Sequence, residues 1–154
     1  MALSVYFLFQ TIFYMKKTLF TMAFVLGSMP FLLAQNILGE WKTIDDETGQ
    51  PKSIVKIYKA QNGMVYGKIT KLLDLSQGDN PLCKLCPDER KNKPVLGMVI
   101  IRELSDQGSA WGGGKILDPE KGKEYGCKIW VEGGKLKVRG YWGMFYRTQT
   151  WIKA

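Results

Sequence analysis

The residues best suited to chemistry in this chain are few, and the most distinctive are two cysteines three positions apart. Cys83 and Cys86 lie in the polar stretch NPLCKLCPDERKNKP, residues 80–94. Cysteines at this spacing can carry out thiol–disulfide exchange, contribute to a zinc site or form a small disulfide ring. Each of these possibilities requires a different setting, so the surrounding sequence must be used to choose among them.

The setting argues against redox catalysis and against zinc. A catalytic cysteine pair usually begins a helix after a strand, whereas Pro87 follows the second cysteine here. A structural zinc ion needs four ligands. The chain has no histidine, so only Cys127 and an acid such as Asp79 or Asp88 remain to complete a site. We therefore predict no metal and no cofactor, with Cys127 as a free, buried thiol.

The absence of histidine also limits catalysis. It excludes Ser–His and Cys–His nucleophile pairs and removes the usual general base at neutral pH. Asp118 and Glu124, in the stretch DPEKGKEY, are the carboxylates that could act as an acid–base pair of a hydrolase. Asp118, Pro119 and Gly122 are, however, typical of a turn, which is the interpretation we favour. The sequence thus predicts no catalytic residues.

The N-terminus has the pattern of a secretory signal peptide. Lys16 and Lys17 precede an apolar run from Thr18 to Leu33, and Ala34 comes before a polar segment. The run is short for a membrane span, which needs roughly 20 apolar residues. We predict a signal peptide over 1–34, with 1–14 as an extension upstream of a true start at Met15. Export, to a periplasmic or extracellular location after cleavage near Ala34, favours a Cys83–Cys86 disulfide.

The remaining residues, 35–154, have the length of one domain. Their net charge is +6, two below the +8 of the whole chain because Lys16 and Lys17 are excluded. The lysines are scattered over nearly every segment, which favours a solvated surface over a nucleic-acid-binding one. We expect no nucleic acid partner and no membrane span in the processed protein.

Alternation of apolar and polar residues predicts eight strands separated by turn signals. They cover 38–44, 53–60, 64–73, 97–104, 109–117, 124–132, 135–143 and 145–153. Short connections favour antiparallel neighbours. The predicted fold is all-β, an eight-stranded antiparallel up-and-down barrel, with a two-sheet sandwich as the alternative. The glycines at 112–114 are expected to bend the fifth strand, and the loop at 74–96 could form a lid.

The last two strands bring polar groups next to aromatic side chains. If the barrel holds a cavity, the candidate ligand-binding residues are Arg139, Tyr141, Arg147 and Gln149. An eight-stranded barrel can be filled by side chains or can hold one small ligand, and the sequence leaves both possibilities open.

Gly39, Glu40 and Trp41 open the first predicted strand, and a Gly-x-Trp at this point resembles the start of lipocalins and their calycin relatives. In those families the tryptophan plugs the closed barrel end, and a basic side chain from the last strand lies over it. The resemblance implies barrel-end packing by Gly39, Trp41 and Arg147, with Arg139 as an alternative to the arginine.

The chain is also similar to a group of small exported bacterial proteins catalogued as domain of unknown function 2147. The similar stretches include GEWKTIDDETG, VYGKI, WGGGKILDPEKGKEY and LKVRGYWGMFYRTQTW, spread between Gly39 and Trp151. The resemblance implies a lipocalin-like barrel and assigns no activity or catalytic residues.

The expected function is binding of a small apolar or amphipathic molecule by an exported barrel. The alternative is an interaction or structural module of the cell envelope. Such a module would act through its basic surface or the Cys83–Cys86 loop, with a protein partner that the sequence does not identify.

Overall fold

The computed structural model describes residues 36–154, which form a closed barrel of eight antiparallel strands in sequential order. The strands are β1 (Gly39–Ile44), β2 (Pro51–Lys59), β3 (Val65–Leu72), β4 (Val99–Asp106), β5 (Trp111–Asp118), β6 (Lys123–Glu132), β7 (Lys135–Trp142) and β8 (Phe145–Lys153). The prediction of an up-and-down barrel is confirmed, and the sandwich alternative is wrong. No observed strand end differs from its prediction by more than two residues.

The alternation of side chains along the strands produces the barrel core. In β2, Ser53, Val55 and Ile57 are buried while Lys56 is exposed. In β7, Leu136 and Val138 are buried between more exposed lysines and an arginine. Successive side chains of a strand point to opposite faces, so each strand contributes its apolar set to the interior. The core therefore lies inside the barrel, with the charged residues outside.

One end of the barrel is closed by packed side chains around Trp41. The indole is 2% exposed, and its Nε1 donates a hydrogen bond to the carbonyl oxygen of Ile37 at 2.8 Å. Leu136 of β7 and Trp151 of β8 are direct cross-strand partners near this end, and both are buried. The connections at the other end, between β1 and β2, β3 and β4, β5 and β6, and β7 and β8, surround an opening.

The barrel is joined most weakly between its first and last strands. β1 and β8 share two residue pairs, Trp41 with Lys153 and Lys42 with Ile152. By comparison, β7 and β8 are paired continuously from Leu136 with Trp151 to Trp142 with Phe145. The backbone N–H of Ala154 adds one hydrogen bond, to the carbonyl oxygen of Glu40 at 3.1 Å. Toward the open end, beyond these pairs, the two strands have no backbone pairing, and side chains make the contact between β8 and the β1–β2 connection.

The glycines of β5 permit a close approach between β4 and β5. The pairing of β5 with β6 shifts register between Gly112 and Gly114, as expected for a bulge. A Cβ atom on Gly114 would lie 2.0 Å from the carbonyl oxygen of Arg102. Only glycine fits at this point, so the predicted bend of the fifth strand is present.

The predicted signal peptide, its cleavage site and the predicted start at Met15 lie outside the described residues. Among residues 36–154 there is no helix long and apolar enough to cross a membrane.

Candidate ligand-binding site

The open end of the barrel leads into a cavity of about 1030 Å³. Its depth is lined by inward-facing residues of β3, β4, β5 and β7, including Ile69, Ile100, Ile116 and Val138. The indole of Trp151 lies among the lining residues toward the closed end. These side chains are apolar because they are the continuation of the barrel core, and the space between them is open. Ligand sites of proteins commonly have this form, with volumes of roughly 300–1,000 Å³.

A chain of polar side chains runs along the β8 side of the cavity. Trp151 Nε1 donates to Gln149 Oε1 at 3.2 Å, and Gln149 Nε2 donates to Asp46 Oδ2 at 2.7 Å. The guanidinium of Arg147 also contacts Asp46 Oδ2, with its Nη2 at 2.8 Å. Asp46 belongs to the β1–β2 connection, so these contacts bridge the part of the β1–β8 junction that has no backbone pairing. We call Asp46, Arg147, Gln149 and Trp151 the polar seam.

A second group of charges lies across the mouth. Lys52 Nζ is 2.5 Å from Glu120 Oε1 and 3.6 Å from Asp45 Oδ2. Partial burial acts to lower the pKa of Lys52, but the hydrogen bond and charge of Glu120 outweigh it and raise the pKa. Hydrogen bonds from Thr48 lower the pKa of Asp45 to about 2. Lys52 and Asp45 are therefore charged at neutral pH, and the contacts of Lys52 tie the β1–β2 and β5–β6 connections together.

Two hydroxyl groups lie in the wall below these charges. The Thr43 and Ser53 oxygens are 2.9 Å apart, and the backbone N–H of Ser53 donates to Thr43 Oγ1 at 3.1 Å. Both residues line the cavity. They give the wall near β1 and β2 a polar spot, while the facing wall from β4 and β5 is apolar.

The long connection between β3 and β4 covers part of the mouth and contains the two cysteines. The Sγ atoms of Cys83 and Cys86 are bonded at 1.98 Å, and both residues are buried. The backbone around Cys83 forms hydrogen bonds with Lys93 and Asn92, so the segment folds back on itself. Leu82 and Leu85, on either side of the first cysteine, line the cavity mouth.

The disulfide segment rests on the β5–β6 turn. The Cys83 Sγ atom lies 3.2 Å from the carbonyl oxygen of Pro119. Gly122 has a φ of +62°, and a Cβ atom there would lie 2.0 Å from the carbonyl oxygen of Leu85. The turn therefore supports the segment through a backbone contact that any side chain on Gly122 would prevent.

Arg90 holds the other side of the long connection to the barrel. It is 4% exposed, and its guanidinium binds the carboxylates of Asp88 and Glu124 and the carbonyl oxygen of Val99. The hydrogen bond from Arg90 lowers the pKa of Asp88 to about 2. Burial acts to raise the pKa of Glu124, but the hydrogen bonds from Arg90 and Lys115 outweigh it and lower the pKa. Sequence reasoning missed Arg90, since nothing in its local pattern distinguishes it from the other bases of the loop.

The four predicted ligand-binding residues do not lie together. Arg147 and Gln149 line the cavity, whereas Arg139 and Tyr141 are on the outer face of β7. Arg139 lies between the rings of Trp130, at 5.0 Å, and Tyr146, at 4.4 Å, and its Nε donates to Thr148 Oγ1. The prediction that Arg139 and Tyr141 line a cavity is wrong because they alternate with the inward-facing Val138 and Gly140.

The basic residue over Trp41 also differs from the expectation. Lys153, and not Arg147 or Arg139, lies over the indole, with its Nζ 4.4 Å from the ring centroid. Lys153 is the cross-strand partner of Trp41, while Arg147 is six residues earlier in β8 and reaches Asp46 at the open end. Gly39 lies beside this contact, since a Cβ atom there would be 2.9 Å from Lys153 Nζ.

Asp118 and Glu124 do not form a paired acid–base site. Asp118 Oδ1 accepts backbone hydrogen bonds from Glu120 and Lys121, as in the predicted turn. Glu124 is bound by Arg90 and Lys115. Cys127 is buried in the barrel core, and burial raises the pKa of its thiol to about 12. Among residues 36–154, no cluster of His, Cys, Asp or Glu side chains is arranged to hold a metal ion.

Comparison with known proteins agrees with this architecture. A solved structure described as protein HP1028 from the human pathogen Helicobacter pylori, which belongs to the lipocalin family, superposes with a TM-score of 0.65. It is 23% identical to the chain, and the match covers 77% of this chain and 83% of HP1028. At this identity the likeness shows the fold alone.

No curated protein matches the chain significantly. Residues 39–153, from the first strand to the last, match the model of a family described as an uncharacterized protein conserved in bacteria, DUF2147. The resemblance noted from the sequence stretches is thereby confirmed, and the chain belongs to this bacterial family with a lipocalin-like barrel.

Proposed function

We propose that this protein binds a small apolar or amphipathic molecule inside its barrel. The observation that carries the proposal is the cavity of about 1030 Å³, which opens at one end and continues the apolar core. A barrel filled by side chains would have offered no such space. The lipocalin-like fold is consistent with ligand binding, and the cavity supplies the volume.

The arrangement of the walls suggests how the ligand lies. An apolar body would contact Ile69, Ile100, Ile116 and Val138, and a polar group would reach the polar seam. The seam offers both donors and acceptors, because Arg147 keeps guanidinium N–H groups beyond its single contact with Asp46. Apolar walls with a few placed polar groups bind and orient ligands of this kind.

Two glycines, one facing the cavity and the other facing outward, allow a direct test. Gly140 faces the cavity, where a Cβ atom would meet Tyr125 at 3.5 Å; Gly126 faces outward, where a Cβ atom would meet Tyr141 at 3.5 Å. We expect Gly140→Phe to weaken binding of 1-anilinonaphthalene-8-sulfonate about tenfold by occupying cavity space. Gly126→Phe should leave the affinity unchanged. Equal effects of the two variants would refute binding in the cavity.

Native mass spectrometry of protein purified from its own host would identify the natural ligand. We expect a bound small molecule that is released on denaturation and is absent from the Gly140→Phe variant. Repeated recovery of empty protein, together with probe binding insensitive to Gly140→Phe, would count against the proposal.

We further propose that the barrel is exported and that residues 1–34 are removed as a signal peptide. The basic, apolar and small-residue order of 16–34 supports this, as does a disulfide in the β3–β4 connection, since disulfides persist in oxidising compartments. N-terminal sequencing of the protein from its host should begin at Gln35. A chain that retains Lys16 and Lys17 would contradict the proposal.

A further inference from the structure

The most exposed apolar surface of the described residues is the turn between β7 and β8. Trp142 is 72% exposed, Met144 88%, Phe145 70% and Tyr146 62%. We call residues 142–146 the apolar hairpin tip. Large apolar side chains gathered at one place on a surface usually mark a site that meets another apolar surface. The tip requires an explanation that packing within the barrel does not provide.

The tip lies beside the cavity mouth and has a counterpart on the long connection. Trp142, Phe145 and Tyr146 line the mouth, as do Leu82 and Leu85, which are 48% and 65% exposed. The β3–β4 and β7–β8 connections are four strands apart in the barrel order. Exposed apolar groups from two separate connections therefore border the same opening, through which an apolar ligand has to pass.

The charges next to these groups favour a lipid surface as the partner. Lys84 lies beside Leu85 at the mouth, and Lys123 lines a groove with Trp142. Neither lysine makes an ion pair with another residue of the described barrel, so both ammonium groups are available to lipid phosphates. Tryptophan and tyrosine are also the residues preferred at the boundary between lipid headgroups and acyl chains. Four acids that line the mouth, Asp45, Asp46, Asp118 and Glu120, are held in ion pairs with Lys52, Lys121 and Arg147. Apolar atoms at the tip with two lysines near them therefore match the layered chemistry of a bilayer surface.

We propose that the apolar hairpin tip, together with Leu82 and Leu85, docks the mouth of the barrel on a lipid bilayer. This rests on the proposed function and deepens it, because the ligand would then be a membrane-derived amphiphile that enters the cavity without crossing water. The tip inserts among the lipid headgroups, and Lys84 and Lys123 contact the phosphates.

Two methionines allow a matched experiment. Met144 is at the tip and does not line the cavity, whereas Met64 is 37% exposed in the β2–β3 hairpin at the closed end. Met144→Asp and Met64→Asp change the charge equally.

Flotation with phosphatidylcholine vesicles containing one fifth phosphatidylglycerol measures binding of the purified barrel. We expect Met144→Asp to reduce the bound fraction about tenfold. Met64→Asp should behave as wild type. The tryptophan fluorescence of the wild-type protein should shift to the blue with vesicles, because Trp142 is the exposed one of its five tryptophans.

Three results would overturn the proposal. Wild-type protein that does not float would exclude docking. Vesicle binding that high salt abolishes and Met144→Asp leaves intact would show that basic residues on the outer surface of the barrel, and not the tip, bind the vesicles. A concentration-dependent dimer that Met144→Asp dissociates, without vesicle binding, would show that the tip meets a second copy of this chain. Probe binding in Met144→Asp protein reads the cavity separately, so loss of docking and loss of ligand binding are distinguishable.

Discussion

Arg90 is the residue on which the long β3–β4 connection depends most directly. Its guanidinium is almost fully buried and joins Asp88 of the same connection, Glu124 of β6 and the backbone of β4. If the arginine were removed, Glu124 would keep only the more exposed Lys115, and Asp88 would keep only a 3.8 Å contact with Arg102. The contacts are charge-assisted and bidentate on Asp88, which is the arrangement that gives an ion pair real strength.

Replacing Arg90 should therefore destabilise the barrel. We expect Arg90→Gln to lower the free energy of unfolding by about 2–3 kcal/mol, because buried charged hydrogen bonds are lost and Glu124 is left without its main partner. Arg102→Gln is the matched control. Its close partner Glu89 is 67% exposed and its contact with Asp88 is 3.8 Å long, so its ion pairs should contribute less than about 1 kcal/mol. Chemical denaturation measures both, and equal losses would contradict the role given to Arg90.

The same cluster predicts how stability depends on pH. The pKa of Asp88 is about 2 in the folded protein against an ordinary value of 3.8. Its stabilising contribution is present above about pH 4 and is lost as the pH falls through 2, because protonation breaks the contact with Arg90. The denaturation midpoint should fall over this window, and less steeply in Asp88→Asn. With no histidine in the chain, the midpoint should be nearly constant from pH 5 to pH 8; a transition there would contradict the argument.

At this scale the sequence predicted residue types better than residue partners. Trp41 was identified from Gly-x-Trp, but the base over its ring is set by strand register, which selects Lys153 rather than Arg147. Arg139 and Tyr141 were grouped with Arg147 by polarity, although alternation with Val138 places them outside. The contact of Arg90 with Glu124 spans 34 positions and has no local signal.

Among the structural elements, the β5–β6 turn has a supporting role that its length does not suggest. Gly122 in this turn touches the backbone of the disulfide segment, and Asp118 fixes the turn through backbone hydrogen bonds. The turn and the segment therefore form one side of the cavity mouth. A change in the turn should be transmitted to the segment that partly covers the opening.

Two glycines with similar backbone angles isolate this contact. Gly122 and Gly133 have φ values of +62° and +57°, but a Cβ atom on Gly133 would meet nothing within 4 Å. Gly133→Ala should cost only the backbone penalty of about 1 kcal/mol. Gly122→Ala should cost about 1–3 kcal/mol more, since the clash with Leu85 displaces the disulfide segment. Limited proteolysis should show faster cleavage within residues 74–97 in Gly122→Ala only; similar cleavage in both variants would refute the support.

The strands themselves were predictable because each carries a clear alternation and ends at a turn. The sequence predicts that the long connection is a loop and a possible lid, but it does not predict the path that the loop follows. Its position depends on the disulfide, on Arg90 and on the contact at Gly122, which are interactions between segments distant in sequence. Alternation reports which face of a strand is apolar, and it contains no information about where a connection without regular structure comes to rest.

Considered as a whole molecule, the barrel is packed at one end and hollow at the other. Leu136 is fully buried near the closed end and does not line the cavity, whereas Ile116 is only partly buried and lines it. A side chain packed on all sides loses more contacts on truncation than one that borders an open space. The two ends should therefore respond differently to the same substitution.

Substitutions to alanine test this difference. We expect Leu136→Ala to lower the free energy of unfolding by about 3–5 kcal/mol, in the upper range for buried leucines. Ile116→Ala should cost about 2 kcal/mol, because one side of Ile116 already faces the cavity. Denaturant titration measures both values. Equal costs would mean that the region around Ile116 is packed as tightly as the closed end, which would weaken the case for a ligand site.

The pattern of eight short strands separated by turns was enough to predict the barrel. The same pattern was not enough to predict the cavity. The alternation of inward residues is the same in a filled barrel and in a hollow one. The difference lies in the sizes of the side chains that meet across the interior, such as Gly140, which leaves space beside Tyr125 and Ile116, and in a connection that stops short of covering the mouth.

The backbone hydrogen bond between Ala154 and Glu40 determines a suitable position for attaching the protein to a surface. It anchors Ala154 at the pole opposite the opening. A biotin or an affinity tag attached at this position would immobilise every molecule in one orientation, with the aperture directed into solution. A sensor surface prepared in this way would present the site to ligands and vesicles without obstruction by the support.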